Sequence, residues 1–257
     1  MMYESMDRTS KAWSDELLQP LIDNRATYCN RHGYTLLNVN DLISADRPAA
    51  WSKLLALQYY FQSGMYDYLF YIDMDTIIMN ADIKLESFID ASERKFDVVV
   101  TEDMNGINTG VFLMRNLAWT LWFLQTAWEQ TQLVPKLTDD GKALPFRWEQ
   151  RAFHYLTRSA EWTKADLPVY SNYTEVRKHF YVLPQCAFNS YILHPFDLHA
   201  DREASQYAPG DFLIHFAGKS GVYKKQLMQH YLEQLSEGSG GSGGTGTGSG
   251  GQQYLRA

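Results

Sequence analysis

Asp73 and Asp75 stand one residue apart where the apolar run YLFYIDMDTIIMN, residues 68–80, reaches its end. Along an extended strand, residues i and i+2 face the same way. The spacing therefore predicts two carboxylates on one side of a strand end, which repel unless a cation sits between them. Hard oxygen ligands of this kind suit Mn²⁺ or Mg²⁺. The competing reading has Asp75 capping a turn and Asp73 solvated. A second group lies in HFAGKSG, residues 215–221. A neutral His215 imidazole is a ligand for Mn²⁺, Gly218 lets backbone approach a ligand closely, and Lys219 offers a point charge to a phosphate. A glycine turn with a core histidine and a surface lysine gives the same letters. In NGINTGVFLMRN, residues 105–116, Gly106 and Gly110 bracket Asn108 and Thr109. Short polar side chains there suit sugar hydroxyls, or simply local backbone hydrogen bonds. In RWEQRAF, Glu149 and Gln150 open a helix, where an acidic residue also complements the helix dipole. Trp148, Phe188 and Tyr191 are aromatic candidates for an acceptor platform, against core packing.

The elements that must position these residues alternate between the two periods. Helical spacing runs over residues 9–31, with Pro20 marking a kink or break, and over AAWSKLLALQYYFQS, KLESFID, LAWTLWFLQTAWEQTQ, FRWEQRAFHYLTR and VYKKQLMQHYLEQL. Strands are predicted at HGYTLLNVN, YDYLFYID, FDVVVTED, INTGVFLMRN, FYVLP and DFLIHFAG. YDYLFYID is too apolar to leave one face in water, so it belongs in a sheet covered on both sides. The alternation predicts an α/β domain over residues 1–237, with a mostly parallel central sheet and helices on both faces. In such folds ligands sit at the carboxyl ends of the strands, where Asp73 and Asp75 fall.

The end of the chain has a different composition. Nine of the 17 glycines lie in residues 238–251, a Gly/Ser/Thr stretch that reads as an engineered linker with a roughly 20 Å reach. It carries QQYLRA, residues 252–257, a tag or a tethered acceptor whose sole hydroxyl is on Tyr254. The net charge of −7 argues against nucleic acid or an anionic membrane as main partner. No apolar run reaches the length of a membrane span. Cys29 and Cys186 have no metal or disulfide spacing and read as buried thiols. A cytoplasmic location is expected, or the Golgi lumen if an anchor belongs upstream.

The order of these motifs resembles a known family. An apolar strand ending in Asp-x-Asp, an Asn-Thr-Gly strand, an acidic-Gln helix start and a late His-Phe-x-Gly-Lys are similar to retaining glycosyltransferases of family 34. That family includes fungal galactosyl- and mannosyltransferases and plant xyloglucan xylosyltransferases. WSKLLAL and YCNRHGYTL also look like its pattern, and the likeness covers residues 1–225 or so. The resemblance implies a Rossmann-like GT-A fold, a UDP-sugar donor (or a GDP-sugar), and Mn²⁺ or Mg²⁺. It implies Asp73, Asp75 and His215 as metal ligands, with Asp75 in direct contact. It places Lys219 and Gly218 on the diphosphate, Lys53 facing the donor, Tyr3 at the base, Asn108 on the transferred sugar, and Glu149 and Gln150 between sugar and acceptor. The acceptor would be a glycan, peptide or protein hydroxyl, Tyr254 included. A first strand must begin almost at Met1 to match the family.

The implied reaction retains anomeric configuration, by front-face displacement or with Glu149 as nucleophile or stabiliser. Three rivals remain at this point. A glycogenin-like family 8 enzyme shares the Asp-x-Asp, although HFAGKSG lacks its Lys-Pro-Trp ending. A non-catalytic nucleotide-sugar-binding module fits the same fold. A phosphohydrolase would use Asp73 as nucleophile, but Ile77 stands where that pattern has Thr.

Overall fold

The structure is a computed structural model. It describes residues 2–4, 15–93, 95–134, 148–160, 167–194 and 202–239. The tail with Tyr254, and most of the expected linker, lie outside the described residues.

In chain order the elements are β1 (Met2–Glu4), α1 (Asp15–His32), β2 (Leu36–Asn38), α2 (Ser52–Gln62), β3 (Tyr68–Ile72), β4 (Thr76–Ile78), α3 (Leu85–Ala91), β5 (Val98–Asp103) and β6 (Gly106–Arg115). There follow α4 (Ala118–Trp128), α5 (Gln150–Thr157), α6 (Tyr173–Arg177), β7 (Phe180–Leu183), α7 (Arg202–Ser205), β8 (Leu213–His215) and α8 (Gly221–Ser239). Six strands make one sheet in the order β2-β1-β3-β6-β5-β7. β6 is antiparallel to both β3 and β5, while the other pairings are parallel. Five strands therefore share one direction, as the alternating pattern predicts.

The sheet is covered on both faces, and the strand periodicity shows it. Leu69, Tyr71, Val98, Val100, Phe112 and Met114 face a core shared with Trp51, Leu57, Phe123 and Phe153 from the helices. Their alternates Phe70, Ile72, Val99, Val111 and Leu113 face Tyr28, Cys29, Phe88 and Phe212. A β3 run of this kind has no wet face because neither side meets water.

Two expectations change. Pro20 lies inside α1, yet the helix runs unbroken from Asp15 to His32. The carbonyl that loses its donor belongs to Glu16, which is exposed to solvent, so the missing bond falls where water can replace it. The strand expected in DFLIHFAG forms, but as β8 in a separate ribbon: β4 pairs antiparallel with β8, with Thr76 opposite His215. This ribbon packs on α1 and α8 through Leu17, Leu21, Ile77, Ile214, Phe216 and Met228. It is the device that carries His215 to the end of β3.

Candidate active site

The chain turns sharply after Ile72. Asp73 and Asp75 therefore lie on the turn from β3 to β4 and not along an extended strand. Backbone hydrogen bonds tie this turn to the two neighbouring elements. Asp73 N donates to Gly110 O on β6 at 2.6 Å, and Phe216 N donates to Asp75 O at 2.9 Å. From behind, the fully buried Arg25 of α1 donates to the carbonyls of Asp73, Met74 and Thr76, each at 3.1 Å. A planar guanidinium suits this task because its donors fork in fixed directions.

Turn and ribbon bring Asp73, Asp75 and His215 together. One ligating atom from each lies within 4.8 Å of the others. His215 Nδ1 meets Asn189 Oδ1 at 2.7 Å. An amide oxygen accepts, so Nδ1 carries the hydrogen and Nε2 presents its lone pair. That lone pair faces Asp75 Oδ1 at 3.4 Å, an arrangement suited to a cation shared by the two. Gly110 leaves the necessary room: a Cβ there would come within 2.3 Å of His215 Cε1 and 2.8 Å of Asp73 Oδ2. Two carboxylates, one imidazole and a cradle that one methyl group would fill make a donor set that fits Mn²⁺ or Mg²⁺. Burial alone raises the Asp75 carboxyl, but its contacts with His215 and Lys224 outweigh burial and hold it well below the usual range.

A second cluster adjoins the first. Lys53 is buried, with Nζ 2.6 Å from Glu149 Oε1, 3.2 Å from Asp73 Oδ1 and 3.0 Å from Thr109 O. Its ammonium is thus committed to two carboxylates instead of facing open space. Burial opposes the charge, but Asp73 and Glu149 outweigh burial, so Lys53 stays protonated. One cation serves two carboxylates, and burial pushes the Glu149 carboxyl above its ordinary value. Thr109 ties the pair to the next helix: its Oγ1 donates to Glu149 Oε1 at 2.8 Å, and its N–H to Gln150 Oε1 at 3.0 Å. Glu149 Oε2 is buried with no hydrogen-bond partner among the described residues.

Asn108 lies on the same strand. Its Nδ2 donates to Asp103 Oδ2 and to Tyr191 Oη, each at 2.9 Å, while Tyr191 Oη donates to Asp103 Oδ2 at 2.6 Å. β5 and β6 change register between Val100 and Thr101, and such an irregularity re-aims side chains beside a site. Of the aromatic candidates, Phe188 is fully buried against Phe70 and Phe88, so it packs the core. Tyr191 is committed to Asp103, and Trp148 is exposed beside Glu149.

Gly218 and Lys219 follow β8 on the turn into α8, with Gly218 at φ +70° and Lys219 N donating to Phe216 O. Tyr3 lies on β1, next to Leu37 and Tyr71 in register, and its side chain is outside the described residues. Sequence reasoning did not single out Arg25, Tyr71, Asp103, Asn189 or Lys224. Tyr71 Oη donates to Asp73 Oδ1 at 2.6 Å, and Lys224 on α8 forms an ion pair with Asp75. Tyr71 lies within the Asp-x-Asp stretch itself, two residues before Asp73. The others lie outside the four motifs, and Arg25, Asn189 and Lys224 reach their partners from segments distant in sequence.

A model of the galactosyl transferase GMA12/MNN10 family matches residues 1–94 and 87–222. The relative named "Probable alpha-1,6-mannosyltransferase MNN10" of Saccharomyces cerevisiae is 25% identical over 191 residues, which are 62% of this chain and 46% of that protein. The alpha-1,2-galactosyltransferase of Schizosaccharomyces pombe is 23% identical over 240 residues, 78% of this chain and 56% of that protein. The chain thus spans about half the length of these curated relatives. A crystal structure of a glycosyltransferase involved in the glycosylation of the major capsid of PBCV-1 superposes with a TM-score of 0.61, covering 89% of this chain and 98% of that one. At 15% identity this likeness is one of fold, and the fold is GT-A.

Proposed function

The chain belongs to the galactosyl transferase GMA12/MNN10 family, and on that premise we propose that it transfers a sugar from a nucleoside diphosphate to a hydroxyl acceptor, with retention and with a divalent cation. The observation that carries this reading is the convergence of Asp73, Asp75 and His215 within 4.8 Å beside the Lys53–Glu149 pair at the sheet's strand ends. The three side chains would hold Mn²⁺ or Mg²⁺, which supplies positive charge to a leaving diphosphate.

The chain's own groups divide the remaining work. Lys53 keeps Asp73 in place and neutralises part of the acidic cluster. Asn108 gives both amide hydrogens to Asp103 and Tyr191, so in this reading it would meet a sugar hydroxyl only by exchanging one of those bonds. Glu149 Oε1 is held by Lys53 and Thr109, and in this reading the buried carboxylate acts as a supporting charge for the sugar cation. In the displacement this implies, the bond between anomeric carbon and phosphate oxygen breaks. The acceptor oxygen bonds to the same face of that carbon, and its proton passes to the leaving phosphate oxygen. In this reading Lys219 and Gly218, on the turn after β8, would meet the diphosphate, and Tyr3 on β1 would meet the base. The acceptor is a glycan or a peptide hydroxyl, and Tyr254 offers one of the latter.

A screen of UDP- and GDP-sugars with Mn²⁺ tests this, reading nucleoside diphosphate release and intact mass together. The expected result is release from one donor, abolished by EDTA. A mass gain of one sugar on residues 252–257 would identify Tyr254 as acceptor. A Glu149→Gln rate close to wild type would remove Glu149 from the chemistry. No release from any donor would leave a nucleotide-sugar-binding module as the better account.

A further inference from the structure

The acidic cluster contains a cation that no sequence motif supplied. Lys224 Nζ pairs with Asp75 Oδ2, while His215 Nε2 lies 3.4 Å from the other carboxylate oxygen. Lys224 and Asp75 are 18% and 16% exposed, so the pair is weakly screened by salt. A divalent cation shared by Asp73, Asp75 and His215 would sit on the same carboxylate. Two positive charges at that range repel strongly. One of them must give way, or the metal must bind weakly.

The geometry lets the lysine be the one that moves. α8 is anchored further along by Met228, which is fully buried against Leu17, Leu21 and Phe216. The connection from β8 passes through Gly218 and Gly221, at φ +70° and +61°, with open space at both. Lys224 stands one turn inside the helix, on a flexible four-carbon stem. A diphosphate bound beside Lys219 would offer the displaced ammonium new oxygens.

We infer that Lys224 is a positioning residue that competes with the divalent cation for Asp75 and passes to the diphosphate when donor binds. This rests on the metal- and nucleotide-dependent reading above. Metal and nucleotide then favour each other's binding, and the coupling is reciprocal. Lys224 sets how strongly the protein takes up metal before a donor arrives.

The test is Mn²⁺ titration of the full chain, followed by the electron paramagnetic resonance signal of free Mn²⁺, with and without uridine diphosphate. Without nucleotide, Lys224→Met is expected to bind Mn²⁺ about threefold or more tightly than wild type. Uridine diphosphate should then strengthen Mn²⁺ binding by a smaller factor than it does in wild type. In EDTA the variant should melt at a lower temperature, because Asp75 has lost its partner. Lys225→Met, the neighbouring cation on α8, controls for general charge and should stay near wild type. Equal or weaker Mn²⁺ affinity in Lys224→Met, or an equal gain in Lys225→Met, overturns the inference. Asp75→Asn separates the two levels. If it abolishes Mn²⁺ binding while Lys224→Met matches wild type, only the inference falls. If it leaves Mn²⁺ binding intact, the metal reading of this site falls with it.

Discussion

Gly110 shows how much one missing side chain can decide. Its neighbours in sequence, Asn108 and Thr109, carry the polar groups, but Gly110 makes the room between them and the acidic turn. Asn108 Oδ1 accepts from Gly110 N at 2.9 Å, and Gly110 O accepts from Asp73 N at 2.6 Å. The backbone of β6 therefore touches the metal-site candidates directly. A Cβ at position 110 would overlap His215 Cε1 at 2.3 Å, a contact that nothing relieves without moving the ring away from Asp75. Gly110→Ala is accordingly expected to fold but to bind Mn²⁺ about tenfold or more weakly, the range seen when a ligand's supporting shell is disturbed. Mn²⁺ titration alongside circular dichroism checks this. Wild-type affinity in a folded Gly110→Ala would mean that His215 is not a ligand.

At the scale of elements, the site hangs on α1 as much as on the sheet. Arg25 spends its guanidinium on carbonyls of the acidic turn and on Thr76 Oγ1. One residue back, Asn24 pairs both ways with Ile78, each bond at 2.9 Å, as a strand edge would. A lysine has the charge but not the fork. Arg25→Lys is expected to lose about 2 kcal/mol of stability, the scale of a buried hydrogen bond to a charged group, and to weaken Mn²⁺ binding as the turn loosens. Urea unfolding with and without Mn²⁺ measures both, and an unchanged midpoint would assign the turn's shape to the sheet alone. These dependencies explain what the sequence could and could not reveal. β3, β5 and β6 are legible because continuous apolar runs have one good solution, a sheet covered on both faces. The four site motifs are legible because their residues are adjacent along the chain. β4 is not, since Thr76–Ile78 reads as a continuation of β3 until the turn at Asp73 is seen. Arg25, Asp103 and Lys224 are ordinary polar letters in their own segments, and they acquire roles through pairings across tens of residues.

The whole molecule places the site where three apolar clusters meet. Two cover the faces of the main sheet, and the third binds α1 and α8 to the ribbon that carries His215. α1 belongs to two of them, through Tyr28 and Cys29 on one side and Leu17 and Leu21 on the other. Metal held at the turn should therefore stabilise the docking of α1, and Cys29 can report it. Its side chain is 1% exposed, and burial pushes the thiol up to about 11. The thiolate is the reactive form, so labelling at pH 8 requires α1 to open. A ligand that binds the closed state and not the open one lowers the open population by the factor 1 + [L]/Kd. Mn²⁺ at a hundred times its Kd should then slow Cys29 labelling by about 100-fold, and EDTA should restore the faster rate. Cys186, 8% exposed just after β7, gives an internal comparison in the same mass spectrum. A Cys29 rate indifferent to Mn²⁺ would show that α1 opens independently of the acidic turn, and Arg25 would then be holding a shape that the metal does not share.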